Sequence, residues 1–303
     1  MPANEKPSAR NAAIAACIAA VATSALVAHN VPESGGDFSV YWAALGDGNP
    51  YARGLMYPLP TLLILLPLRW LSVHDGAVAF MAISVGLMVF GAVRALGWQS
   101  LVMLLSPAFW SNIWDLQWGP LLMAAALVPA CGFLAAGKAN VGVAALAYRP
   151  NKWAIGGFAA FVVLSLVVMP TWPYEMFHQV APPAPTGGPP PRRAPHTPPV
   201  LWLGGALGLI GALRWREPRG RVLLACTLIP ASAQLYDHLL VWLACRDWRE
   251  SLGLSVAAWI GYIVFVATAP HDLPSNPFPF QVSIALSVYV PAGLLMLMKP
   301  SQQ

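Results

Sequence analysis

The segment GAVAFMAISVGLMVFGAVRAL, residues 76–96, carries no charged residue before Arg94. As a helix it is long enough to cross the hydrocarbon of a bilayer. Working outward, the residues before it form a polar, aromatic, Pro-punctuated stretch, DFSVYWAALGDGNPYARGLMYPLPTLLILLPLRWL, residues 37–71. Before that lies an Ala-rich apolar segment at 11–28, behind a basic N-terminus with Lys6 and Arg10. The 11–28 segment reads as an uncleaved first span, with a cleaved signal peptide as the alternative reading. The basic terminus then lies inside and the loop of residues 31–72 outside.

Composition agrees with a membrane class. Apolar residues make up 57% of the 303 residues, charged residues 10%, and the mean hydropathy is +0.60. A soluble domain carries roughly 25% charged residues. The net charge of +5 sits in short loops between apolar segments, where it orients the chain and does not signal nucleic acid. Cys17, Cys131, Cys226 and Cys245 all fall within apolar segments, with no CxxC or Cys/His spacing, and so indicate neither zinc nor a disulfide framework. Walker A, GxGxxG, HExxH and DxD motifs are absent, which leaves nucleotide use and metalloprotease chemistry without support.

Downstream, residues 99–110 return outward and deliver Trp114, Asp115 and Gln117 to the outer surface. Residues 120–136 go back in to Lys138. Residues 139–148 are too short to cross and read as re-entrant or interfacial, with Arg149 and Lys152 inside. Residues 153–169 go out to a Pro-rich outer loop, 170–199, and 201–213 return to the basic run RWREPRGR at 214–221. Residues 222–244, broken at Pro230, read as a hairpin or two short spans; 252–268 and 280–298 finish the chain. The expected fold is a single all-α polytopic transmembrane bundle over 1–303, with about eight spans, interfacial or re-entrant helices and both termini cytoplasmic. No internal repeat supports an inverted-repeat transporter.

Four places carry candidate chemistry. Asp37, after Gly35-Gly36, heads a segment with helical spacing, and its carboxylate can act as a base or simply cap that helix. Tyr41, Trp42, Tyr51 and Tyr57 suit either stacking on a ligand or anchoring at the interface. Lys138 can hold a phosphate as a point charge, or snorkel as a cytoplasmic anchor, which is where this topology puts it. Tyr236-Asp237-His238 are polar and ionisable inside an apolar segment, hence functional candidates, with mutual pairing of Asp237 and His238 as the plainer reading. In the second outer loop Arg192 and Arg193, flanked by His178 and His196, can meet a diphosphate or lipid headgroups, or simply be solvated.

The pattern of an Asp after the first span, then Tyr41, Gly48-Asn49-Pro50-Tyr51, Tyr57-Pro58-Leu59-Pro60 and a Leu-rich run resembles the first extracytoplasmic loop of family 87 glycosyltransferases. These are polytopic enzymes of the GT-C superfamily that use polyprenyl-phosphate sugars. The resemblance is strongest over 31–72, loose over 99–152 and fragmentary beyond, and the chain is shorter than is usual there. It implies a GT-C-like fold and inverting transfer of a hexosyl or pentosyl unit, as in a mannosyltransferase. The sugar would pass from a polyprenyl-phosphate donor to a lipid or glycan acceptor of the cell envelope, at the outer face of a bacterial inner membrane. Asp37 is then the catalytic base. Gln117 and Lys138 resemble a Gln-containing turn and a later Lys-Pro, with Ala139 in place of the Pro and a shorter spacing. Tyr41, Trp42, Asn49, Tyr51, Tyr57, Gln117, Lys138, Tyr236, Asp237 and His238 become the substrate-binding set. No metal ligand is assigned, although Asp237 and His238 leave a divalent cation open. Two other classes stand beside this one: a non-catalytic scaffold or partner subunit, and a small-molecule transporter or flippase.

Overall fold

The computed structural model describes residues 8–46, 48–53, 55, 57–178, 196–268 and 278–298. Among these residues every named element is helical, and extended pairing is limited to a single bridge between Thr197 and Ala231. The molecule is an all-α, multi-pass helical bundle. The Pro-dense part of the second outer loop, with Arg192 and Arg193, lies outside the described residues.

α1 (Ala9–Asn30) and α4 (Val73–Leu96) are the longest helices and pack against each other. Small residues let them approach, since a Cβ on Gly86 would sit 3.4 Å from that of Ala20. Ser72 starts α4 by accepting from the Asp75 amide at 3.0 Å, which satisfies one of the free N–H groups of the first turn. Between the two helices, Gly35 and Gly36 take φ of 79° and 53° and turn the chain into α2 (Phe38–Leu45). α2 lies across the start of α4, where a Cβ on Gly76 would come within 3.1 Å of Trp42 and 3.2 Å of Phe38. α3 (Leu59–Leu65) continues as a 3-10 turn, Leu66–Trp70, and the two together are too short to cross.

The middle of the chain is built from short pieces. A 3-10 segment, Trp98–Leu105, breaks at Ser106 into α5 (Pro107–Trp114), where the Ser106 hydroxyl caps Phe109 at 3.1 Å. α6 (Gly119–Leu127) is followed by a 3-10 segment, Pro129–Lys138, and then α7 (Ala139–Tyr148). These three fold back on one another twice. Trp118, before α6, touches the Gly137 backbone, where a Cβ would meet its ring at 2.3 Å. At Lys138 the backbone leaves helical geometry, with φ −136° and ψ 72°. A Cβ on Gly142 would then meet the carbonyl of Ala135, seven residues earlier, at 2.0 Å. Such contact is impossible along one straight helix and requires the chain to double back.

α8 (Lys152–Val168) packs beside the 129–138 segment and bends 86° into α9 (Trp172–His178). A second tight hairpin joins the 3-10 segment Gly205–Arg214 to α10 (Pro218–Leu228). The 3-10 segment Leu235–Ala244, α11 (Trp248–Thr268), α12 (Phe278–Ile284), a π turn Ala285–Tyr289 and α13 (Val290–Leu297) complete the order.

By length and composition alone, five helical stretches among the described residues can cross a membrane, or six if α8 and α9 count as one bent span; one of the five, Pro129–Tyr148, doubles back at Lys138 and so does not cross as one helix. α1, α4, α11 and the last stretch match expected spans closely. The expected spans at 99–110, 120–136 and 201–213 are instead broken or short 3-10 and α pieces, and 222–244 breaks at Pro230 as anticipated. The re-entrant reading of 139–148 agrees with the reversal at Lys138. Outward-facing Ile18, Val167 and Ile263 are 65%, 73% and 60% exposed, an apolar exterior suited to lipid and not to water.

Two ends of the bundle follow from these contacts. Lys138 and Asn140 lie beside Pro230, with Asn140 donating to the Pro230 carbonyl at 3.0 Å. At the far end of α7, the Arg221 guanidinium donates to the carbonyls of Ala147 at 3.0 Å and Tyr148 at 3.1 Å. α7 and α10 therefore run antiparallel between a Lys138 end and an arginine end.

Candidate functional site

Asp37 is exposed at the head of α2, and its side chain makes no capping hydrogen bond. The capping role expected as its plainer alternative is therefore not taken up. Gln117 instead donates from Nε2 to Asp37 Oδ2 at 3.4 Å and to the Asp115 carbonyl at 3.1 Å. Gln117 is placed there by a sharp turn. Leu116 has φ 51°, uncommon for a residue with a side chain, and Gln117 N donates back to the Asn112 carbonyl at 2.9 Å. Asn112 is fully buried and staples the region, accepting from Gly119 N at 2.8 Å and donating to the Tyr236 carbonyl at 3.0 Å.

Asp115 is the second carboxylate here, accepting from the Ser111 hydroxyl at 3.2 Å. Burial raises its pKa above the ordinary 3.8 against the lowering effect of Ser111, and the neighbouring negative charge of Asp37 adds to the rise.

One turn along α2, Tyr41 is buried. Its ring meets Tyr57 edge-on at 4.8 Å and Trp118 at 6.2 Å. Beyond Tyr57 stands Lys138, its ammonium 5.9 Å from the Tyr57 ring and 4.9 Å from the Tyr236 ring. Lys138 is 6% exposed and forms an ion pair with Asp237, whose side chain is 2% exposed. The other Asp237 oxygen accepts from the Ser232 amide at 2.9 Å and its hydroxyl at 2.5 Å. Both oxygens of this carboxylate are thus satisfied, which is what an ion pair this deeply buried requires.

These contacts correct two expectations. Lys138 is not a snorkelling anchor at the far side from Asp37; it stands at the reversal between Pro129–Lys138 and α7, in the same aromatic cluster as Tyr57. Nor do Asp237 and His238 pair with each other. His238 Nε2 contacts the Ser232 carbonyl at 3.2 Å, and its Nδ1 contacts the Tyr289 hydroxyl at 2.9 Å. Tyr289 donates onward to the Cys226 carbonyl at 3.1 Å. His238 is 1% exposed and lined by protein, Trp202 included, so it does not face lipid.

Of the residues read as a binding set, Asp37, Tyr41, Tyr57, Gln117, Lys138, Tyr236 and Asp237 form one contiguous group, with His238 a step deeper. The others hold the loop together. Asn49 Oδ1 accepts from Tyr51 N at 2.9 Å, and its Nδ2 donates to Glu175 at 2.6 Å, tying the Asn-Pro-Tyr turn to α9. The buried Tyr51 donates its hydroxyl to the Tyr57 carbonyl at 3.1 Å. Trp42 packs on Phe38 and Gly76. Trp118, Ser232, Asn112 and Tyr289 escaped the sequence reading. Trp118 adjoins Gln117, and Tyr289 is a lone phenol in the last apolar stretch, so a search for polar groups in spans would have raised both.

No group of three or more His, Cys, Asp or Glu able to hold a metal occurs among the described residues. No family model, curated protein or solved structure matches the chain.

Proposed function

We propose that the protein is a membrane glycosyltransferase of GT-C-like fold. It moves a sugar from a polyprenyl-phosphate donor to a lipid or glycan acceptor at the outer face of a bacterial inner membrane. One observation carries the reading: Asp37 is an exposed carboxylate that caps nothing and is steadied by Gln117, in one cluster with a buried cation at Lys138. A carboxylate free of structural duty at the mouth of an aromatic-lined polar cluster is what a general base needs.

In the reaction, Asp37 takes the proton of the acceptor hydroxyl as that oxygen forms a bond to the anomeric carbon. The bond from that carbon to the phosphate oxygen breaks on the opposite side. The electron pair leaves with the polyprenyl phosphate, and configuration inverts. Lys138, its ammonium 5.9 Å from the Tyr57 ring, supplies positive potential toward the departing phosphate, tempered by its pairing with Asp237.

The scaffold reading has one observation in its favour: Lys138 and Asp237 already satisfy each other. The experiment that decides is transfer of labelled sugar from polyprenyl-phosphate donors by purified wild type and Asp37→Asn, with melting measured alongside. Loss of about two to four orders of magnitude with folding intact is the expected result. Equal transfer by both proteins removes Asp37 from the mechanism. No transfer by wild type from any such donor moves the conclusion to a scaffold.

A further inference from the structure

α3 and the 3-10 turn that follows it are apolar on two sides. Leu59, Leu62 and Leu65 face inward and are buried. Leu63, Leu66, Pro67 and Trp70, at three- and four-residue spacing, instead line an open groove of about 670 Å³ together with Arg69. Trp70 is 93% exposed and Leu66 46%. Arg69 is exposed and makes no hydrogen bond or ion pair among the described residues. The depth of the groove follows from α4. Its 24 residues measure about 36 Å, more than the roughly 30 Å of hydrocarbon, so its first residue, Val73, stands at headgroup level. Trp70 and Arg69 come three and four residues earlier, at the level where indoles and guanidinium groups concentrate.

We propose that this groove binds a phospholipid, its phosphodiester held by Arg69 and one acyl chain lying against Leu63, Leu66, Pro67 and Trp70. Two demands select that chemistry. The apolar wall needs a hydrocarbon partner, because water against it is unfavourable. Hydrocarbon alone would leave the guanidinium without an acceptor, whereas its fork matches two oxygens of a phosphodiester. A second copy docked through the same short face would bring two Arg69 charges together. The occupant also bears on the candidate site. Thr61, buried on α3, donates to the Gly137 carbonyl, one residue before Lys138. A lipid that holds α3 therefore steadies the reversal at Lys138. The site stands whether or not the protein transfers a sugar.

The test maps the lipid on the chain. A phosphatidylglycerol carrying a diazirine in its acyl chain is titrated onto the purified protein in an uncharged detergent and irradiated, and the cross-links are located by peptide mass. Saturable labelling within residues 59–71 is expected. Unlabelled phosphatidylglycerol should displace it; dioleoylglycerol, which lacks the phosphate, and inorganic phosphate, which lacks the chains, should not. Arg69→Gln should need about tenfold more lipid for half-maximal labelling, the effect of losing one charge-assisted contact. Arg216→Gln, at an exposed arginine outside the groove, should need no more than wild type. Without lipid, wild type and Arg69→Gln should melt alike, because Arg69 has no partner in the described chain; added phosphatidylglycerol should raise the wild-type melting temperature more. Labelling that never saturates, or that Arg69→Gln leaves unchanged, overturns the proposal. Equal displacement by dioleoylglycerol would remove the phosphodiester from the site, and displacement by inorganic phosphate would remove the lipid; either result also overturns it. In a background with the native cysteines replaced, Leu66→Cys should stay monomeric. Disulfide-linked dimers that lose the label as they form would give this face to a second copy instead.

Discussion

The Lys138–Asp237 pair shows how much a single residue can decide. Both members are buried, and each is held by the other, so removing one strands a charge where water cannot reach it. Lys138→Met is expected to destabilise the fold by about 3–5 kcal/mol. Lys138→Met combined with Asp237→Asn should recover most of that loss, because no charge is left unpaired and the amide oxygen still accepts from Ser232. Thermal unfolding in detergent reads both, and a double variant no better than the single would show that the pair does more than neutralise itself. Asp115 behaves oppositely. Its pKa is higher in the folded protein than its ordinary value, so its stabilising contribution is complete below that ordinary value. The contribution is lost as pH rises through the folded one. At neutral pH the ionised carboxylate therefore works against the fold. Asp115→Asn should melt higher than wild type at pH 7, and the gap should close as pH approaches about 4. A gap that widens on acidification would reverse the assigned direction.

At the scale of elements, the hairpins depend on close backbone contact and on shared caps. Arg221 donates to four carbonyls, those of Ala147 and Tyr148 at the end of α7 and those of Trp215 and Arg216 after the 205–214 segment. These are the groups a helix end leaves without partners, and a guanidinium fork meets several at once. Arg221→Lys keeps the charge but not the fork and should cost about 2 kcal/mol, whereas a purely electrostatic role would make the change silent. Gly137→Ala should cost about 1–3 kcal/mol by pushing a methyl into the Trp118 ring. The sequence disclosed α1, α4, α11 and the last stretch because each is apolar over its whole length and needs no neighbour to be recognised. It concealed the α6–α7 region because Gly132 and Gly137 act there through contacts with Ala154 and Trp118, elsewhere in the chain, and Gly142 through the fold-back onto Ala135. Lys138 looked like the edge of a span for a related reason. A charge at the end of an apolar run is usually at the membrane surface, and nothing local reports that Asp237, far along the chain, waits to pair with it. Asp37, Tyr41, Tyr57 and Gln117 were legible as a set through the resemblance, but Trp118 and Ser232 were recognisable only from who they touch.

For the whole molecule, α7 and α10 place the arginine end and the Lys138 end at opposite poles. Cysteines introduced at Glu33, beside α2, and at Arg216 test the orientation, since both residues are exposed. In a background with the native cysteines replaced, an impermeant thiol reagent applied to intact cells should label the position at 33 and spare that at 216. Labelling at 216 alone would invert the bundle in the membrane, and labelling at both would break the polar separation of the two ends.

The folded-back trio of α6, the 129–138 segment and α7 also bears on the solvent around the protein. α6 has nine residues, a length of about 13 Å, whereas the hydrocarbon of a typical bilayer measures about 30 Å. An element that short does not cross a bilayer by itself, and all nine residues of α6 are buried, so its neighbours in the protein hold it at depth. If water reaches down to the exposed Asp37 beside it, the polar cluster forms a dimple at the membrane surface. A water-borne hydroxyl and a lipid-borne phosphate could meet in such a dimple without either leaving its own phase. The fold should then be tuned to membrane thickness. Reconstituted into bilayers of progressively longer acyl chains, the protein should lose melting temperature and any transfer activity together as the surrounding lipid becomes harder to deform.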